Sequence, residues 1–303
     1  VGSNKKQNEL SIIIAKIQNK ECFFFSDTKV SIESDDSTVF GEQKLRLAPE
    51  EGSLKVHILQ RRMSIAFAGT VAICEEIIQS LFKKQPNKIP EYLQEELIRK
   101  NDDSEFILAL VDKDFNPRLF KIDQKKCKEG KSFWIGNQNA FSEFQSFFVE
   151  SDISDLKEKT SRAFQQMLEN TKIPTIGDFV IGCLFTEKYS SFIYEDSISF
   201  AGSLKTITIS ANEWTQIGNE TNEDGAFIVS NLISDQVQKP AVCLFFEYGN
   251  VAFLYFPITE NHRETRPIVI KTQSRNQLQN YVLKNFGLNL IGFTFKEGKI
   301  NYR

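Results

Sequence analysis

The chain has 303 residues, is 41% hydrophobic, and carries 37 basic against 40 acidic side chains for a net charge of −3. That length admits one large domain with an extension, or two domains. The balanced charge excludes the global basic field that holds nucleic acid or an anionic membrane, so neither is an expected partner.

The first elements are a hairpin over 11–17 and 22–26, in "SIIIAKIQNKECFFFSDTK". Residues 28–54 are polar, include the acidic "ESDD", and read as an excursion with a second hairpin. "KVHILQRRMSIAFAG" over 55–69 reads as two short strands ending at Gly69. Apolar residues at 73, 74, 77, 78, 81 and 82 then mark a helical face. Pro90 suits the first turn of a second helix. "EFILALVD" and "RLFKID" pair around "KDFNP", and "SFWIG" adds a strand before Gly136. Phe141, Phe144, Phe147 and Phe148 stripe the next helix, and a longer one follows at about 152–170. Gly177-Asp178 reads as the turn into the strands "GDFVIGCLFT" and "SSFIYE". Helices in pairs and strands in hairpins do not build a parallel sheet. They predict an α+β fold of two antiparallel sheets, packed on each other and each covered by helices.

After residue 200 come the strands "LKTITIS", "GAFIVSNLI", "AVCLFFEY" and "VAFLYFPI", a helix at about 275–286 with a Ser274/Gln277 capping box, and a closing strand. The aromatic hairpin 241–258 reads as buried sheet, with an interface as the alternative. The basic clusters at 61–63 and 262–266 read as solvated faces. The phosphate-binding and nucleophile-elbow glycine motifs are absent.

Of five cysteines, Cys22, Cys74, Cys183 and Cys243 sit in apolar runs and read as buried thiols. Cys127, in "KKCKEG", is a loop bystander or a thiolate favoured by its basic neighbours. An odd count without paired spacing predicts a reducing compartment, hence a cytoplasmic protein. The only histidines, His57 and His262, argue against a histidine metal site. His57 reads as structural, and no cofactor is expected. No secretory leader or membrane-length apolar run is evident. The leading "VGS" reads as a cloning remnant.

The opening "SIIIAKIQNKECFFFSDTK" resembles that of proteasome β-type subunits and their bacterial relatives. Asp27 follows Ser11 by sixteen positions, the separation that family's nucleophile and aspartate keep. "KVHILQRRMSIAFAGTVAICEEIIQSLFKK" is similar to the segment bearing the family's lysine, and "FILALVDKDFNPRLFKID" and "SFWIGNQNAFSEFQSFF" to the steps after it. The resemblance covers about 10–200. It implies an N-terminal-nucleophile hydrolase domain there, a four-layer αββα sandwich, with 201–303 a C-terminal α+β extension of unassigned role.

In that family the side-chain oxygen of the first residue attacks. Its own α-amine, with a pKa of roughly 8, takes the proton, and a lysine and an aspartate set the electrostatics. The resemblance assigns these roles to Ser11, Lys55 and Asp27. Lys44 stands nearer the family's lysine spacing but lacks the strand that should follow. The resemblance also gives Gly69 and Gly136 a substrate-lining role; otherwise they are permissive corners. Two readings stay open. Ser11 follows Leu10, so its nitrogen is an amide, and the family's cleavage point is normally a glycine. A degenerate, non-catalytic module that binds protein, itself or another, is therefore the leading expectation. The alternative is a self-processing peptidase or amidase with Ser11 exposed by cleavage. Plain structural roles remain open too: Ser11 as a strand residue, Asp27 as a turn former, Lys55 as a strand-edge lysine.

Overall fold

The computed structural model describes residues 11–28, 52–171, 173, 176, 180–188, 190–195, 206–210, 213–216, 227–233, 240–246, 250–287 and 289–294. β1 (Ile12–Gln18) and β2 (Glu21–Asp27) form the opening hairpin, turned at Asn19 with a left-handed φ of 55°. Asparagine tolerates that conformation because its short amide bonds locally. The second hairpin expected within 28–54, and Lys44 with it, falls outside the described residues, as does Gly177-Asp178.

β3 (Val56–Gln60) and β4 (Met63–Ala68) lead into α1 (Val71–Ser80), whose apolar face continues through a single 3₁₀ turn, Leu81–Lys83. α2 (Ile89–Lys100) carries Pro90 in its first turn and stops at Asn101, where φ is 50°. β5 (Glu105–Val111), β6 (Pro117–Ile122), β7 (Cys127–Gly130) and β8 (Ser132–Gly136) follow. α3 (Gln138–Glu150) is capped by the Asn137 side chain and α4 (Leu156–Asn170) by that of Asp155, each accepting first-turn N–H bonds. β9 (Val180–Thr186) and β10 (Ser191–Tyr194) form the next hairpin.

The C-terminal part holds β11 (Thr206–Ser210), β12 (Glu213–Gln216), β13 (Phe227–Ile233), β14 (Val242–Phe246), β15 (Val251–Tyr255), β16 (Ile268–Lys271), α5 (Arg275–Phe286) and β17 (Asn289–Thr294). At the start of α5 the Ser274 hydroxyl accepts from Gln277 N–H at 3.3 Å. The Gln277 side chain reaches back to Gln273 N–H at 3.0 Å, one residue ahead of the box expected from the sequence.

Among the described residues the protein is therefore α+β, with three five-stranded antiparallel sheets, a two-stranded ribbon β11-β12 and five α-helices. The strand orders are β10-β9-β2-β1-β8, β3-β4-β5-β6-β7 and β16-β15-β14-β13-β17. Three strands depart from the expected pattern. β7, β12 and β16 are four residues each, too short to show alternation. Cys127 consequently sits on a strand rather than a loop; β7 is polar and is held by its pairing with β6 and by an Arg118–Glu129 ion pair at 2.7 Å.

Strand alternation sorts the core. Ile13, Ala15 and Phe24 of the first sheet share one buried cluster with Val56, Ala66, Ile107 and Ala109 of the second. Their neighbours Ile12, Ile14, Phe23 and Phe25 pack instead with Phe144 of α3 and Phe164 and Met167 of α4. Ile65, Phe67, Phe106 and Leu108 pack with Ile77 and Ile78 of α1 and Leu93 and Leu97 of α2. Val242, Leu244, Val251 and Phe253 of the third sheet join the cluster shared by the first two sheets, while Cys243, Phe245 and Leu254 lie against Leu278 and Val282 of α5. Each of the Val, Ile, Leu, Met and Phe side chains among these contributes about 1.5–3 kcal/mol by leaving water. The aromatic hairpin β14–β15 is thus buried sheet.

Candidate functional site

An antiparallel hairpin returns the chain to its starting point, so the end of β2 lies beside the start of β1. The pairing of Ile13 with Ser26 puts Asp27 next to the Ser11–Ile12 peptide. There Asp27 Oδ1 accepts the Ile12 N–H at 3.1 Å. Lys55 precedes β3 in the second sheet, and its Nζ stands 3.9 Å from Asp27 Oδ1. That is ion-pair range, beyond a direct hydrogen bond. Ser11, Asp27 and Lys55 are all buried, at 7, 0 and 3% exposure. The structure brings together the neighbourhood of all three residues singled out in the sequence, and neither Asp27 nor Lys55 is a surface residue.

The Ser11–Ile12 peptide is held from both sides. Its N–H goes to Asp27, and the Ser11 carbonyl accepts the Asn137 N–H at 2.8 Å. This close approach requires a glycine at 136. Its φ is +98°, and a Cβ there would fall 1.7 Å from the Ser11 carbonyl oxygen. The Gly136 N–H donates to Glu105 Oε2 at 3.1 Å, and Glu105 pairs with Lys121 at 2.6 Å. Lys121 Nζ also donates to the Trp134 carbonyl at 3.1 Å, which ties β5, β6 and β8 together beside Ser11. Sequence reasoning did not find Glu105 or Lys121. Both are ordinary strand residues until the sheet aligns them.

Lys55 hangs from a short, well-tethered segment. The Ser53 N–H donates to the Thr28 carbonyl at 2.7 Å, the Leu54 N–H to the Thr265 carbonyl at 3.0 Å, and the Lys55 carbonyl accepts from Phe67 N–H at 3.1 Å. Two buried hydroxyls flank Asp27, Ser26 Oγ and Thr28 Oγ1, and among the described residues neither has a hydrogen-bond partner. Such groups are costly in a core that has only packing to do.

Gly69 forms a second tight corner. Its φ is +141°, and a Cβ would lie 2.0 Å from Ser104 Oγ. Ser104 accepts the Thr70 N–H at 3.0 Å and bonds to Asp102, which also accepts from Thr70 Oγ1 at 2.9 Å. His57 is fully buried and stacks on Phe67 with ring centroids 5.7 Å apart, and its Nδ1 accepts the Ile258 N–H at 3.2 Å. Burial pushes its pKa down to about 3, with nearby His262 acting the same way and a backbone bond at Leu54 opposing. The imidazole is neutral and ties β3 to the chain beyond β15.

Cys127 departs from the thiolate reading. Desolvation first, then the negative charges of Glu91 and Glu129, push its thiol up rather than down. The lysines adjacent in sequence do not outweigh them. Cys22, Cys74, Cys183 and Cys243 are buried free thiols. Among the described residues no group of three or more His, Cys, Asp or Glu is placed to hold a metal ion, and no helix is long and apolar enough to cross a membrane. Compared with known proteins, the chain matches no protein-family model and no curated protein.

Proposed function

We propose that residues 10–200 form an N-terminal-nucleophile hydrolase domain of the αββα, proteasome-like kind, and that Ser11, Asp27 and Lys55 are its centre, a self-processing amidase or peptidase. The observation that carries this reading is the buried Asp27–Lys55 pair, 3.9 Å apart at the start of the strand that Ser11 opens. Desolvating two opposite charges costs several kcal/mol per ion, about what their attraction returns, so packing alone does not explain the pair. An enclosed pair of opposite charges beside the Ser11–Ile12 peptide marks a candidate functional site. The sharing of one buried cluster by the first and second sheets, with α1–α2 and α3–α4 on their other faces, supports the sandwich.

Activity requires a free amine on Ser11. In the processing step Ser11 Oγ bonds to the Leu10 carbonyl carbon, its proton passes to the departing Ser11 nitrogen, and the Leu10–Ser11 C–N bond breaks to leave an ester. Water then hydrolyses the ester, giving a Leu10 carboxylate and restoring the Ser11 hydroxyl beside a new α-amine. That amine serves as base in later turnovers. Lys55 supplies positive charge near the reacting oxygen, and Asp27 holds both Lys55 and the Ile12 N–H in place.

One observation favours the second reading, a non-catalytic module that binds protein: Leu10, not glycine, precedes Ser11. The intact mass of protein made in a cell decides. Loss of residues 1–10, blocked by Ser11→Ala, with covalent labelling of Ser11 by an electrophilic β-lactone, is the expected outcome. A full-length chain that ignores the probe overturns the hydrolase reading and leaves the module.

A further inference from the structure

We propose that Thr265 is a positioning residue for Lys55, and that the C-terminal sheet thereby completes the candidate site; this rests on the Ser11–Asp27–Lys55 centre proposed above. The strap after β15 runs back over α1 and the segment that carries Lys55. The Thr259 N–H and His262 carbonyl close a tight turn in it, at 2.8 Å. Arg263 Nη2 donates to the Ala72 carbonyl at 3.0 Å, and Gln79 Nε2 to the Glu260 carbonyl at 3.4 Å, so the strap is moored to α1. The sequence "HRETR" reads as a solvated basic cluster, yet Thr265 within it is completely buried.

Thr265 makes three contacts, two to the segment that precedes Lys55 and one to α1. Its carbonyl accepts the Leu54 N–H at 3.0 Å. Its hydroxyl accepts from Ser53 Oγ at 2.6 Å and donates to Glu75 Oε1 of α1 at 2.6 Å. Ser53 and Leu54 are the two residues before Lys55. The relay Ser53–Thr265–Glu75 therefore anchors the incoming side of Lys55 to α1. The Ser53–Thr28 bond anchors it to β2, and the Lys55–Phe67 bond anchors its outgoing side to β4. Without the Thr265 hydroxyl, two of these three anchors remain, and the Ser53 hydroxyl keeps only its 3.2 Å bond to the Leu54 carbonyl, which makes no tie to α1. A lysine meant to act beside the reacting oxygen is sensitive to such freedom, because catalytic geometry loses effect over about an ångström. Mooring Lys55 also gives the C-terminal sheet a role that its sequence does not suggest.

The test compares the full chain with Thr265→Val, which removes the hydroxyl at nearly constant volume, with Thr265→Ser, which keeps it, and with Ser53→Ala, which cuts the same relay from the other end. Two readouts are taken: the rate of Ser11 labelling by the β-lactone across pH, and the 13C signal of the Lys55 ε-carbon in lysine-labelled protein. Thr265→Val and Ser53→Ala should each slow labelling about tenfold and move the Lys55 signal, while Thr265→Ser returns both toward those of the parent chain. An unmoved Lys55 signal in the two relay variants overturns the proposal, as does a loss in Thr265→Val that Thr265→Ser fails to restore. If the parent chain itself does not label, the hydrolase reading falls, and the Lys55 signal alone still decides whether Thr265 positions the lysine. If Thr265→Val does not fold, Ser53→Ala carries the same decision.

Discussion

Asp27 holds two partners with one oxygen: Oδ1 accepts the Ile12 N–H at 3.1 Å and faces Lys55 Nζ at 3.9 Å. The carboxylate is thus both a strand-pairing device and one half of a buried ion pair. Its removal should register in stability as well as in chemistry.

Asp27→Asn leaves the Lys55 ammonium buried without its counter-charge. Breaking a buried pair by one partner costs about 3–5 kcal/mol. The urea midpoint of Asp27→Asn, and of Lys55→Met, should fall accordingly. The double variant Asp27→Asn with Lys55→Met should regain most of the loss, since it strands no charge and keeps a side-chain oxygen for the Ile12 N–H. A double variant as unstable as either single one would contradict the account of the pair as a stability cost kept for function.

Gly136→Ala places a methyl against the Ser11 carbonyl in a backbone region that L-residues avoid. A cost of about 1–3 kcal/mol from the conformation alone is expected, with the clash added to it. Thermal unfolding should shift downward, and Ser11 labelling should weaken with it. Gly287→Ala also adds a side chain at positive φ, 65°, but meets nothing within 4 Å and lies far from the site in sequence, so it serves as the control for conformation without collision.

His57 gives a pH dependence of known sign. Its folded pKa, about 3, lies below the ordinary 6.5, so between those values the unfolded chain binds the extra proton. Stability from the buried neutral ring is complete above about pH 6.5 and is lost as pH falls toward 3, at up to about 1.4 kcal/mol per pH unit. The difference between the parent chain and His57→Gln, measured by urea unfolding from pH 7 to 4, should carry that slope. A difference independent of pH would show that the ring titrates normally.

Iodoacetamide should modify a single cysteine in the folded protein, Cys127, since the other four are buried. The reaction should be slower than with a small free thiol, because desolvation, Glu91 and Glu129 keep the thiol protonated. Glu129→Gln should quicken it. Rapid alkylation of the parent chain at neutral pH would restore the thiolate reading.

The hairpin β1–β2, the face of α1 and the aromatic stripe of α3 were legible because each repeats its pattern over two or more turns or pairs. β7 was not, since "CKEG" is exposed and polar and becomes a strand only by pairing with β6. Ser11, Asp27 and Lys55 were named through a resemblance, without which each is an unremarkable residue. Their adjacency follows from hairpin return and from the second sheet's contact with the first. Glu105, Lys121 and Thr265 carried no local signal, because each acts on residues from 13 to more than 200 positions away in the chain.

Local periodicity and composition, then, determined which segments became strands and helices and which faces turned inward, since burial alternates every two residues in a strand and every three or four in a helix. Only the folded chain decided that the Asp27 carboxylate, the Lys55 amine and the Ser11–Ile12 peptide meet at one corner, and that a threonine between β15 and β16 bonds to the segment that carries the amine. Side-chain pattern is a short-range property, whereas contacts between sheets depend on how whole layers stack.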